Sequence, residues 1–192
     1  MKSYLKPTLG IFALVVVLVL VCISLYSRPT VPADTIRYEN KEIGVSFLYP
    51  KSLRNVATTT EQELVHLALP LSKFTSLGYP ETITFLKPIV ITEPSDLEEI
   101  LVRRVIFDGS GEHPDSIGDF KTKDIQGKRF YFIQNGRFEG IISYEFFFVT
   151  DKTVVPVSVR WYSDRWMDPS FVMEDDPRYA ELLDILGTLR VD

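Results

Sequence analysis

The sequence predicts an α+β protein, an antiparallel β-sheet with helices packed on its faces, preceded by one N-terminal transmembrane helix. Three observations carry this. Leu9 to Tyr26 reads LGIFALVVVLVLVCISLY without a charge, short segments of alternating apolar residues follow it, and two stretches of helical spacing occur among them at 95–105 and 176–187. The chain divides accordingly into a short tail (1–8), the span (9–26), a linker (27–35) and a folded domain (36–192).

Eighteen helical residues at about 1.5 Å each cover roughly 27 Å, close to the thickness of a bilayer's hydrocarbon core. A cleaved signal peptide has an apolar region of about 7 to 15 residues, and Ser24 to Ala33 offers no A-x-A for signal peptidase, so the run reads as a retained anchor. Cys22 follows Val21 where a lipobox wants a small residue, which makes it an apolar cysteine rather than a lipid-bearing one. With Lys2 and Lys6 before the span, the simplest topology is single-pass, with the N-terminus cytoplasmic and the domain extracytoplasmic. The lipid bilayer is thus one expected partner, through residues 9–26. Ser27 to Thr35, with Pro29 and Pro32, is a stiff spacer.

Beyond Ser27 the chain keeps all 26 acidic groups and loses only Lys2 and Lys6 from its 21 basic ones. That balance excludes a basic surface for a nucleic-acid backbone or for anionic lipid. One cysteine and two histidines exclude a disulfide framework and a cysteine-rich zinc site.

The elements follow in order. Ile43, Val45, Phe47 and Tyr49 alternate up to Pro50, and Ile36 with Tyr38 can pair back on them as an opening hairpin. Val65, Leu67 and Leu69 form a further strand. Ile83 and Phe85 begin another, which Pro88 interrupts and Ile89 to Ile91 resume. Ser95 and Glu98 stand at capping-box spacing before Leu97, Ile100, Leu101 and Val105, and Glu98 and Glu99 precede Arg103 and Arg104 in the order that suits a helix dipole. Then Gly127, Asn135-Gly136 and Asp151-Lys152 divide a four-stranded antiparallel meander, Asn-Gly being the strongest hairpin signal in it. A closing helix takes Asp176 as N-cap, Pro177 at its first position and Gly187 as its stop, and Thr188 to Val191 can return to the sheet.

The opening Y-x-N-x-x-x-G-V-x-F-x-Y-P from Tyr38 to Pro50, the helix SDLEEILVRRV, the DIQGKRFYF turn and strand, and the final YAELLDILGTLRV together resemble the PsbP-like fold, an α/β/α sandwich of extracytoplasmic anchored proteins. The resemblance covers roughly Ile36 to Val191. It implies an accessory or binding module rather than a catalyst. The family's functional residues find no matching positions here.

Two segments are candidates for function. In DGSGEHPDSIGD, Asp108, Ser110 and Glu112 fall at alternate positions, with Asp115 and Asp119 beyond them, a set of oxygen ligands that suits calcium. The competing reading is a solvated acidic connection. No other cofactor is expected. In YSDRWMDPSFVMEDDP, Trp166, Met167, Phe171 and Met173 stand among carboxylates in a connection too apolar for a plain loop, so they form either a contact for a protein or cell-envelope partner or a lid on the core's edge. His66 reads as a satisfied or edge histidine, and the aromatics at 130–132 and 144–148 as sheet packing. No G-x-S-x-G, H-E-x-x-H or phosphate loop occurs, so a non-enzyme is expected, with a carboxylate-based hydrolase as the remote alternative.

Overall fold

The computed structural model describes residues 34–58, 60–68, 81–105 and 113–192. The tail, the expected span at 9–26 and most of the linker lie outside the described residues, as do Asp108, Ser110 and Glu112. Among the described residues no helix is long and apolar enough to cross a membrane.

Among the described residues antiparallel strands and two α-helices make up the domain, in keeping with the α+β class. The strands are β1 (Thr35–Asn40), β2 (Val45–Pro50), β3 (Arg54–Val56), β4 (Glu63–Ala68), β5 (Thr82–Leu86), β6 (Ile89–Val90), β7 (Lys121–Ile125), β8 (Lys128–Phe138), β9 (Ile141–Val149), β10 (Thr153–Tyr162) and β11 (Arg190–Val191). Helix α1 is Asp96–Arg104 and α2 is Tyr179–Thr188. The large sheet runs β3-β4-β5-β10-β9-β8-β7, with β6 also beside β10. The opening hairpin instead joins the C-terminal strand in a separate sheet, β1-β2-β11.

Period-two alternation along β8, β9 and β10 sends residues to two faces. One face meets α2 and the small sheet: Phe130, Phe132, Phe146, Phe148, Val155, Val157 and Val159 pack with Phe47, Leu182, Ile185 and Leu186. Phe47 stacks on Phe85 with ring centroids 3.8 Å apart. The other face meets α1, where Leu101, Val105, Phe120, Phe147 and Val154 form a second cluster. Helical elements therefore lie on both faces, and the aromatic runs are core.

Four local expectations are corrected. Asn135-Gly136 is not the hairpin turn: β8 continues through it with a bulge between Gln134 and Gly136, and Phe138 pairs with Ile141. The two-residue turn is Glu139-Gly140, both at positive φ (47° and 89°), as a type I′ turn demands. Ser95 makes no side-chain cap because its own backbone is helical (φ −65°, ψ −23°), whereas a capping side chain needs an extended residue; Asp96 Oδ2 accepts from the Thr92 and Glu93 amides instead. Gly187 does not stop α2. It is buried inside the helix, and a Cβ there would lie 2.4 Å from the Gln126 side chain, so glycine serves the close approach of the β7–β8 turn. Asp176 is not the N-cap, since α2 begins only at Tyr179.

Pro156 sits in β10, an interior strand, where a missing N–H is normally excluded. Its neighbour is broken at the same level: β10 pairs with β5 from Val157 onward and with β6 up to Val154, leaving Val155 and Pro156 opposite the gap at Lys87-Pro88.

Candidate functional site

The segment from Ser163 to Arg178 leaves β10 and enters α2, and backbone carbonyls fix its shape. Arg137, projecting from β8, donates from Nη1 to the carbonyls of Trp166 (3.4 Å) and Asp168, and from Nη2 to that of Phe171 (2.5 Å) and to Gln134 Oε1 (3.1 Å). One guanidinium fork thus ties three points of the loop to the sheet. Within the loop, Asp168 Oδ1 accepts from the Ser170 amide (2.9 Å) and hydroxyl (2.6 Å), and Arg165 bonds Asp168 Oδ2 (2.9 Å) and Asp175 Oδ2 (3.4 Å). Arg165 also lies 4.8 Å over the Phe171 ring. The Ser170 and Arg165 bonds pull the Asp168 carboxyl down to about 2.

At the loop's exit Arg178 pairs with the buried carboxylates of Glu81 and Asp176, donates to the Tyr162 carbonyl (2.9 Å) and stands 4.9 Å over the Trp161 ring. Glu81 Oε1 accepts from the Tyr162 amide as well (3.0 Å). Burial lowers the Arg178 guanidinium to about 10 and raises the Asp176 carboxyl. The network clamps the loop's two ends together.

The four apolar residues predicted as one contact separate. Phe171 and Met173 are buried in the main core and Trp166 packs half-buried against it, because the Arg137 bonds fold the loop back over the sheet edge. Placing Phe171 and Met173 on a partner surface is therefore corrected. Met167 is 76% exposed, and Val172 in the same segment is also exposed. Asp164, Glu174 and Asp175 of the same segment are exposed carboxylates.

Of the proposed calcium ligands Asp115 and Asp119 are described. The Asp115 amide and that of Ser116 donate to Asp119 Oδ2 (2.9 and 3.0 Å), which holds the Asp119 carboxyl below its usual range and makes it half of a capping box with Ser116. Among the described residues no group of three or more His, Cys, Asp or Glu side chains could hold a metal ion.

A third cluster escaped the sequence reasoning. His66, Thr84, Ser158 and Glu145 are successive cross-strand partners over β4, β5, β10 and β9. His66 Nδ1 is 3.1 Å from Thr84 Oγ1, which confirms it as a satisfied histidine, and Ser158 Oγ donates to Glu145 Oε1 at 2.9 Å. Asn135, the bulge residue, donates to the same oxygen at 3.3 Å. A signal was present: Glu145 is the one charge in SYEFFFV and shares its strand face with Ser143.

No family model and no curated protein matches the sequence. Solved structures do match it. Cyanobacterial PsbP (CyanoP) from Synechocystis sp. PCC 6803, a solution structure, superposes with a TM-score of 0.52 at 14% identity, over 85% of this chain and 96% of that one. The chain has the PsbP-like fold. A crystal structure from Bacteroides thetaiotaomicron gives the same TM-score of 0.52 at 9% identity, over 83% of this chain and 49% of that one, so the chain spans about half the length of that protein. Identities this low relate the PsbP-like domain to both structures by fold.

Proposed function

We propose that this protein is a membrane-anchored, extracytoplasmic accessory domain that binds a protein or cell-envelope component and carries out no chemistry itself. The observation that carries the reading is Met167, a large apolar side chain 76% exposed at the tip of a loop whose carbonyls Arg137 pins to the sheet. A loop held rigid presents Met167 without the entropy loss that ordering on contact would impose, which is what a binding surface requires. The PsbP-like fold supports an accessory role, and the apolar run at 9–26 supports the anchor.

Cross-linked co-purification of the full-length protein from its native membrane, with Met167→Glu beside it, tests the contact. A partner captured by the parent and lost in the variant, with an unchanged circular dichroism spectrum, is expected. Equal capture by both forms, or capture by neither, overturns the contact. Alkaline carbonate extraction tests the anchor, and release of the protein into the soluble fraction overturns it.

A further inference from the structure

Glu145 lies at the middle of β9, 1% exposed, in a strand otherwise built of Ile, Ser, Tyr, Phe and Val. Among the described residues its two donors, Ser158 and Asn135, both serve Oε1, and Oε2 has no hydrogen-bond partner. An ionised carboxylate needs several donors to replace its water, and two donors on one oxygen leave the other bare. The arrangement fits the neutral acid. Burial pushes the carboxyl up from 4.5 to about 8, against the smaller opposing pulls of Ser158, Arg160 and Asn135.

The surroundings are built around this group. The bulge between Gln134 and Gly136 is what delivers Asn135 to Glu145. Ser143, Ser158, Thr82 and Thr84 make the same side of the sheet polar and buried, next to the apolar patch that α1 covers. A glutamine would satisfy Ser158 with the same shape and no ionisable proton. Retaining the acid makes closure of this face depend on pH.

We propose that Glu145 is a proton-operated latch: with its proton in place β8, β9 and β10 close around it, and without the proton its bare carboxylate draws in water and loosens the α1 side of the sheet. Among the described residues, β10 contributes Arg160 as the charge that bears on it, and β8 and β5 contribute the neutral Asn135, Thr82 and Thr84. His66 and Glu63 of β4 stand at the far end of the row, beyond β5. The α1 cluster beside it contributes apolar groups.

The sign follows from linkage. The folded pKa lies above the unfolded one, so between about pH 4.5 and pH 8 the native state holds a proton that the unfolded chain has released, and stability falls as pH rises through that window. The experiment is hydrogen exchange on the full-length protein from pH 5 to pH 9, corrected for the intrinsic exchange rate, with Glu145→Gln and Ser158→Ala beside it. In the parent, openings that expose Glu145 become about tenfold more frequent per pH unit up to about pH 8, for amides of β8, β9 and β10. In Glu145→Gln that slope disappears. An equal slope in Glu145→Gln, or no slope in the parent, overturns the proposal. Should the glutamine variant fail to fold, carbon-detected NMR of the Glu145 carboxyl in the parent decides it: a midpoint above about 6 supports the latch, and any lower midpoint overturns it.

Discussion

Replacing Phe171 by alanine separates packing from presentation within a single loop. The ring is 5% exposed and belongs to the main core, so its loss removes buried apolar area and leaves a cavity, which for Phe→Ala amounts to about 3 to 5 kcal/mol. Loss of the Arg165 contact over the ring adds little, since that guanidinium is solvated. Met167→Ala, at a side chain 76% exposed, stays within about 0.5 kcal/mol. Urea unfolding of the full-length protein in detergent, followed by tryptophan fluorescence, reads both. With a slope of about 2 kcal/mol per molar, Phe171→Ala lowers the midpoint by about 2 M and Met167→Ala leaves it in place. If Phe171→Ala costs less than about 1 kcal/mol, the loop does not pack as described. If Met167→Ala costs more than about 2 kcal/mol, its side chain is buried and the proposed contact loses its anchor.

Arg178→Met strands the buried carboxylates of Glu81 and Asp176 and lowers stability by about 3 to 5 kcal/mol in the same assay, and Arg178→Met with Glu81→Met recovers part of that loss. Gly140→Ala places a methyl 2.5 Å from Tyr162 Cε2 at a φ of 89°, so the turn and the ring must shift; a loss of about 1 to 3 kcal/mol is expected, read as a lower melting temperature. Millimolar calcium leaves the melting temperature unchanged, because the Asp119 carboxylate is already held by two backbone amides; a rise of several degrees would restore the calcium reading of the 108–119 segment.

Periodicity over a few residues was enough to place β2, β4, β5, β7 to β10 and both helices, because strand and helix alternation are properties of the local chain. The resemblance to the PsbP-like fold rested on the layout of the elements and on the motifs quoted for it, and the solved structure of CyanoP shares that fold. Turn chemistry was legible as well, but ambiguous. Asn135-Gly136 carries the stronger hairpin signal, yet the register that pairs Phe130 with Phe148 and Phe132 with Phe146 across β8 and β9 puts the turn four residues later, where Glu139 accepts a positive φ.

By itself the sequence determined most of the strands and both helices, though not all of their ends, and it supplied an apolar run long enough to cross a bilayer. Tertiary structure alone decided the partners. Arg190 and Val191 pair with Ser46 and Val45 from the opposite end of the chain, which takes the opening hairpin out of the large sheet. The Arg137 fork sends Phe171 and Met173 inward and leaves Met167 outside, a choice that Trp-Met-Asp-Pro-Ser-Phe does not reveal, since apolar residues in a loop fit either side of a surface. Glu145 gains its environment only when β10 brings Ser158 and a bulge in β8 brings Asn135. Burial and hydrogen bonding depend on residues far apart in sequence, and local propensity carries no information about which distant group will arrive.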